Sequence, residues 1–293
     1  MSMVITAVTK DVVVQVSDVQ LTSLDDGKPL DEKQRKSALV VGTDAAFVIG
    51  WTGFAKSSNK KFKTGDWLFS TLNHVKAYEK PLVDILGDLT GQADVAFSQL
   101  PDDQDTKGCH FVLGGWQRKN GKVELFGAII YNNLIYDPPI ESDPRQAHEP
   151  QLIESATVAP TFRYLPNSFL PVESPHLVRV DSPGMKSEWV KEQMRVLRIV
   201  MDNQGGEQAI TRACVDVARQ AAGWTSTISK ELIVATLKKS GEFTTSYLPE
   251  NDTEEYLFPD IITPKGATTQ ASVRAIVSGD EVSGTFTAQA LKR

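Results

Sequence analysis

The chain has 293 residues, enough to bury a real core as one large domain or two small ones. A hydrophobic content of 41%, a charged content of 23% and a net charge of -6 are ordinary for a soluble globular protein, and they argue against nucleic acid or an anionic membrane surface as a main partner. No apolar run approaches the roughly 20 residues of a membrane-spanning helix, and Cys109 and Cys214 make no disulfide framework, which points to a reduced, cytoplasmic compartment. The four histidines are scattered without an H-x-x-x-H pair, so no metal or other cofactor is expected.

Only Met1-Ser2 precede the first apolar run, so the amino terminus is expected to be built into the fold. Met3 to Val8 and Val12 to Val16 are β-branched runs separated by Thr9-Lys10-Asp11, the pattern of a hairpin. The second run ends at Ser17-Asp18, and Thr22 follows four residues later. Leu24 to Lys36 reads as a polar, charged loop with Asp-Asp-Gly and Lys-Pro turn signals. Ser37 to Val41 and Ala45 to Ile49 form a second hairpin candidate, which Gly50-Trp51-Thr52-Gly53 is expected to break. Lys56 to Lys63 is a basic loop.

Thr64 is the expected cap of a helix carrying Asp66 in its first turn and Trp67, Leu68, Leu72 and Val75 at helical spacing. Pro81 separates it from a second helix whose apolar positions are Val83, Leu86, Leu89 and Val95. His110 to Leu113 and Val123 to Tyr131 are strands joined by the turn Lys119 to Lys122. Asp137 to Pro175 has the least regular pattern and many of the prolines, and is read as an insertion that covers a site, makes subunit contacts or wanders over the surface. Two further helices follow: Ser187 to Met201, with Trp189, Val190, Met194, Leu197 and Val200 on one side, and Glu207 to Ala222, with Ile210, Cys214, Val217 and Ala221. On that face Cys214 reads as a buried structural thiol. Leu232 to Leu237 is a strand, and the chain is mostly polar from Gly241 onward. Phe258 to Ile262 is expected to dock, and runs about Ser278-Gly279-Asp280 suggest a terminal hairpin. The expected organisation is a domain over 1–240, with the insertion at 137–175, and an extension over 241–293.

Ser2 is small enough for Met1 to be removed, which leaves a free α-amine beside a hydroxyl, a self-contained base and nucleophile. The structural alternative is that serine is simply what methionine excision tolerates. Thr6 is a competing hydroxyl that would need a trimming step for which the sequence has no signal. From Ser2 to Asp18 is sixteen residues and from Asp18 to Thr22 is four. In this start, and in Lys36-Ser-Ala-Leu-Val-Val, Phe47-Val-Ile-Gly-Trp-Thr-Gly53 and Phe111-Val-Leu-Gly-Gly115, the first half of the chain resembles the proteasome-like N-terminal nucleophile (Ntn) hydrolases. Its start pattern is nearest the Anbu and β-type branch, where the mature chain opens with the nucleophile and the same separations recur.

The resemblance implies an α+β fold, a four-layer αββα sandwich of two antiparallel sheets, in agreement with the strand-helix-strand-helix-strand order. It implies a hydrolase that cleaves a peptide or small amide through Ser2, and a homo-oligomer, possibly a ring. It also gives Asp18 the role of orienting a lysine. The ungapped family position of that lysine is Gln34; Lys33 precedes it, and Lys36 abuts the next strand as the family lysine does, so Lys36 is chosen and Lys33 kept as an accessory candidate. The alternatives are a simple turn acid for Asp18 and a solvated charge run for Lys33 to Lys36. Gly50 and Gly53 are candidates for an oxyanion hole or for a tight turn. The family places an aspartate and a serine after its third helix, where this chain reads Ala222 to Ser229 without an aspartate; Ser226 and Ser229 are the accessory candidates there. That departure, with the insertion, favours the second function, a catalytically inactive Ntn-fold protein kept for assembly or ligand binding.

Overall fold

The first two apolar runs form strands β1 (Val4–Val8) and β2 (Val12–Asp18), paired antiparallel with Thr6 opposite Gln15. Thr9 closes the turn: its hydroxyl donates to the Val12 carbonyl at 3.0 Å and accepts from the amides of Asp11 and Val12. The computed structural model describes residues 3–22, 29–57, 59, 61–101, 108–133, 158–166, 177–181, 185–203, 205–250, 260–262, 276–278 and 281–287.

The remaining strands are β3 (Gln20–Thr22), β4 (Pro29–Lys33), β5 (Ser37–Val41), β6 (Ala45–Gly53), β7 (Cys109–Lys119), β8 (Lys122–Asn133), β9 (Val158–Pro166), β10 (Leu177–Asp181), β11 (Leu232–Lys238), β12 (Glu242–Leu248), β13 (Asp260–Ile262), β14 (Ile276–Ser278) and β15 (Glu281–Thr287). Among the described residues four α-helices accompany them, α1 (Thr64–His74), α2 (Leu82–Ser98), α3 (Ser187–Asp202) and α4 (Glu207–Trp224), with a short 3-10 turn at Ala77–Glu79. The protein is thus α+β, with a seven-stranded sheet in the order β10-β1-β2-β11-β12-β15-β14 and a six-stranded sheet β13-β5-β6-β7-β8-β9. No described helix is long and apolar enough to cross a membrane.

Among the described residues three large apolar clusters carry the layers, and a small fourth joins Val19, Ile233 and Tyr247. One face of the six-stranded sheet (Phe47, Ile49, Trp51, Phe111, Leu113) packs on α1 and α2 through Leu68, Leu72, Ile85, Leu89 and Phe97. One face of the seven-stranded sheet (Ile5, Val14, Val16, Leu232, Val234) packs on α3 and α4 through Leu197, Ile210, Cys214, Val217 and Ala221. The third cluster joins the two sheets, with Val4, Val8, Val13 and Leu237 against Leu39, Val48, Val112 and Trp116. Strand alternation explains the division, because each strand sends successive side chains to opposite faces. Gly114 permits the sheets to approach: a Cβ there would sit 2.6 Å from Thr6 Cγ2 and 2.8 Å from Val8 Cγ2.

Several expectations need correction. The polar loop before Lys36 contains β4, which pairs with β3 as a separate two-stranded sheet. β6 runs through to Gly53, because Trp51, Thr52 and Gly53 continue to pair with β7. Lys63, not Thr64, occupies the cap position of α1; the Thr64 hydroxyl donates to the Phe54 carbonyl instead. On α2 the buried face is Leu82, Ile85, Leu86, Leu89, Ala93 and Phe97, while Val83 and Val95 face outward. The polar stretch after Gly241 holds β12, whose alternate residues Phe243, Thr245 and Tyr247 are buried. β13 pairs in parallel with β5, so the six-stranded sheet is not wholly antiparallel. β14 and β15 form the terminal hairpin. Within 137–175 the structure describes β9, which pairs with β8; the rest of that span, like Phe258 and Pro259, lies outside the described residues.

Candidate functional site

The β1–β2 hairpin brings the start of the chain beside the end of β2. The Asp18 carboxylate accepts the Met3 amide on Oδ1 at 2.7 Å and the Gln20 amide on Oδ2 at 3.1 Å. Met3 is the residue that follows Ser2 in the chain; Ser2 and Met1 themselves lie outside the described residues.

Lys36 arrives immediately before β5. Its ammonium donates to Asp18 Oδ1 at 3.0 Å, to Asp18 Oδ2 at 2.9 Å and to the Gln20 carbonyl. Both side chains have 0% exposure. Lys36 is therefore no part of a solvated charge run, and Asp18 is no simple turn acid. The indole of Trp51 flanks the ammonium, which lies 5.9 Å from a ring centroid, and its Nε1 donates to the Arg35 carbonyl at 3.3 Å. Burial lowers the Lys36 pKa from its ordinary value, against the charge and hydrogen bonds of Asp18, which raise it. A lysine held this way is a fixed positive charge with a reduced hold on its proton.

The neighbours of Lys36 divide sharply. Gln34, at the ungapped family position, is buried on the other side of the segment, its amide against Gly65 of α1. Arg35 is exposed. Lys33, at the end of β4, points to Glu231 and makes contacts of 2.8 Å with both of its carboxylate oxygens. The Ser229 hydroxyl accepts the Glu231 amide at 2.8 Å, so two accessory candidates meet at an acid that the sequence reading passed over. Glu231 directly precedes Leu232, which pairs with Asp18 across β11 and β2. Nothing local in the sequence marks it, because its partner is 198 residues away. Ser226 is exposed, and no contact joins it to Asp18 or Lys36 among those described.

The two glycines have structural reasons of their own. Gly50 lies inside β6 between Ser37 and Val112, and the Trp51 amide bonds to the Lys36 carbonyl, so the antiparallel alternation turns the Gly50 amide toward β7. Its amide is thereby spent in the ladder, which corrects the oxyanion role expected of it. A Cβ at Gly50 would also sit 2.8 Å from Gln15 Oε1 and from Val4 Cγ1. Gly53 has φ +102 and lies so close to the Gly108 carbonyl that no side chain fits.

Elsewhere the chemistry is quiet. Burial pushes the Cys214 thiol up to about 12, as befits a structural cysteine. A cavity of about 580 Å³ opens at the turn end of the hairpin, lined by Thr9, Lys10, Asp11, Met201, Gly206 and Lys238; there Lys238 pairs with Glu207 and Glu242. No group of three or more potential metal ligands occurs among the described residues.

Fold and site together define an α+β protein with a buried lysine–aspartate pair at the head of its first strand. Among solved structures the chain is similar to Anbu (ancestral beta-subunit) from Yersinia bercovieri, at 12% identity and a TM-score of 0.49, with 80% of each chain covered. It is also similar to Anbu from Hyphomicrobium sp. strain MC1, at 9% identity and a TM-score of 0.44, covering 80% of this chain and 82% of that one. No family model and no curated protein matches it.

Proposed function

We propose that this chain is a proteasome-like Ntn hydrolase, built as a four-layer αββα sandwich, that cuts a peptide or small amide through Ser2 once Met1 is removed. One observation carries the reading: the buried Asp18–Lys36 pair, with Asp18 Oδ1 2.7 Å from the amide of the residue after Ser2. A buried ion pair is weak support for stability, since a well-packed apolar pair of similar volume is often as stable. Its position beside the amide of the residue after Ser2 supports a chemical task.

In the proposed reaction the Ser2 α-amine takes the hydroxyl proton as Oγ attacks the substrate carbonyl. An α-amine titrates near 8 when unperturbed, and the fixed charge of Lys36 favours its neutral form. The tetrahedral intermediate collapses as the amine passes that proton to the departing nitrogen, leaving an ester on Ser2. Water, deprotonated by the same amine, then releases the acid product and restores the hydroxyl. Asp18 holds Lys36 in place. Side-by-side assembly into a homo-oligomer, possibly a ring, belongs to the same reading. The outward Val196, Ile199 and Trp224 of α3 and α4 support it. Sedimentation across micromolar concentrations checks that part, and a persistent monomer removes it.

The hydrolase itself is tested by treating the protein with a hydroxyl-directed covalent probe and mapping the adduct. The expected result is a single label on a chain that begins at Ser2. No label, or a label at another hydroxyl, leaves an Ntn-fold protein without catalysis.

A further inference from the structure

The Lys33–Glu231 pair is a charged contact close to the buried pair that the mechanism does not use. Its two lysine–carboxylate distances of 2.8 Å match those of the buried pair, and the side chains retain only 29% and 12% exposure. Four charges are therefore gathered at one end of the sandwich. The two lysines lie on one short segment, three residues apart, and the two acids stand at neighbouring ends of β2 and β11, where Leu232 pairs with Asp18. Between the lysines, the Gln34 amide donates to the Val19 carbonyl at 2.9 Å, which ties the middle of the segment to the residue after Asp18. The segment that delivers Lys36 is thus held at three points, two of them charged.

We propose that Glu231, acting through Lys33, is a positioning residue for Lys36: the pair fixes the 33–36 segment against the start of β11 and cancels the charge that either partner alone would set beside the buried ammonium. This rests on the reading of Lys36 as the cation of the site. The groups facing Lys36 are Asp18 from β2, the Gln20 carbonyl from β3 and the Trp51 ring from β6, with Arg35 exposed beside it and the Lys33–Glu231 pair beyond. Only the last can be changed without touching a group in contact with the ammonium.

The signs follow from Coulomb's law. Glu231→Gln leaves the Lys33 cation unbalanced and pushes the titration of Lys36 to lower pH. Lys33→Met leaves the Glu231 anion and pushes it to higher pH. A unit charge about 10 Å away in an effective dielectric near 20 shifts a titration by about one pH unit, which sets the scale expected of each single variant. The double variant Lys33→Met/Glu231→Gln carries no local charge and titrates close to the parent. Glu231→Asp keeps the parent's behaviour, as conservative rescue.

The experiment follows the Lys36 side-chain resonance of the full chain, with labelled lysine, against pH. Opposite shifts in the two single variants, with the double variant near the parent, are the expected result. Shifts of one sign in both, or shifts below about 0.2 pH units, mean that the pair is merely structural and overturn the proposal. If a single variant fails to fold, the charge-reversed double Lys33→Glu/Glu231→Lys takes its place, and its Lys36 titration must match the parent or the proposal falls. The readout needs no turnover. Opposite shifts in a protein that hydrolyses nothing uphold the charge coupling and reject the Ser2 reading, whereas normal turnover without shifts rejects the coupling alone.

Discussion

The two ends of the β1–β2 hairpin are built from different material. At the turn end, one neutral hydroxyl does the work: the Thr9 side chain bonds to Val12 and Asp11, and the charged Lys10 and Asp11 are exposed. At the open end two charges are wholly buried, and the bonds that satisfy them reach from Met3 and Gln20 to Lys36. A local turn motif would close a hairpin at little cost. Desolvating a carboxylate and an ammonium costs several kcal/mol per ion before their attraction is counted. The difference marks the open end as the place where the fold holds something other than itself together.

Substitutions at the two ends should sharpen or break that contrast. Lys36→Met leaves the Asp18 carboxylate buried and uncompensated, and chemical denaturation should show a loss of about 3–5 kcal/mol. Adding Asp18→Asn in the same chain should recover much of that stability without any activity; a double variant as unstable as the single would mean that the pair is chiefly structural. Midway between the ends, Gly114→Val forces a side chain into Thr6 and Val8, and should cost about 1–3 kcal/mol in the same measurement.

A smaller effect concerns pH. Because the folded Lys36 pKa lies below the ordinary 10.5, the unfolded chain binds more protons between the two values, so this lysine's contribution rises with pH. It is fully present above 10.5 and is lost as pH falls through the folded value. The unfolding free energy of the parent, measured relative to that of Asp18→Asn/Lys36→Met, should therefore rise from neutral to alkaline pH. A fall would contradict the burial argument. The smallest effect belongs to the turn end: Thr9→Val should cost about 1 kcal/mol and leave hydrolysis unchanged.

The same contrast explains what the sequence could reveal. The hairpin, β5, α3, α4 and the β7–β8 turn were legible because their signals are local: β-branched runs, helical spacing, and an Asn120-Gly121 pair that takes positive φ at both positions. Asp18 and Lys36 stand out through the family resemblance, which gives meaning to the spacing from Ser2 and to the strand that follows Lys36. Glu231 does not, since only the pairing of β2 with β11 brings it near Lys33. β4 and β12 carry polar residues between their apolar ones, and periodicity is weak in short strands, so neither is legible in the sequence. Hydrophobicity alone puts Val83 and Val95 on the core face of α2, whereas Leu82, Ile85 and Phe97 occupy it.

The central claim is that Ser2 supplies both the attacking oxygen and the base, supported from behind by Asp18 and Lys36. It is met most directly by comparing amide hydrolysis by the chain that starts at Ser2 with a form in which an inserted residue blocks removal of Met1, each start verified by intact mass. The account predicts that the blocked form folds normally and loses turnover as completely as Ser2→Ala. Full turnover in the blocked form would contradict it.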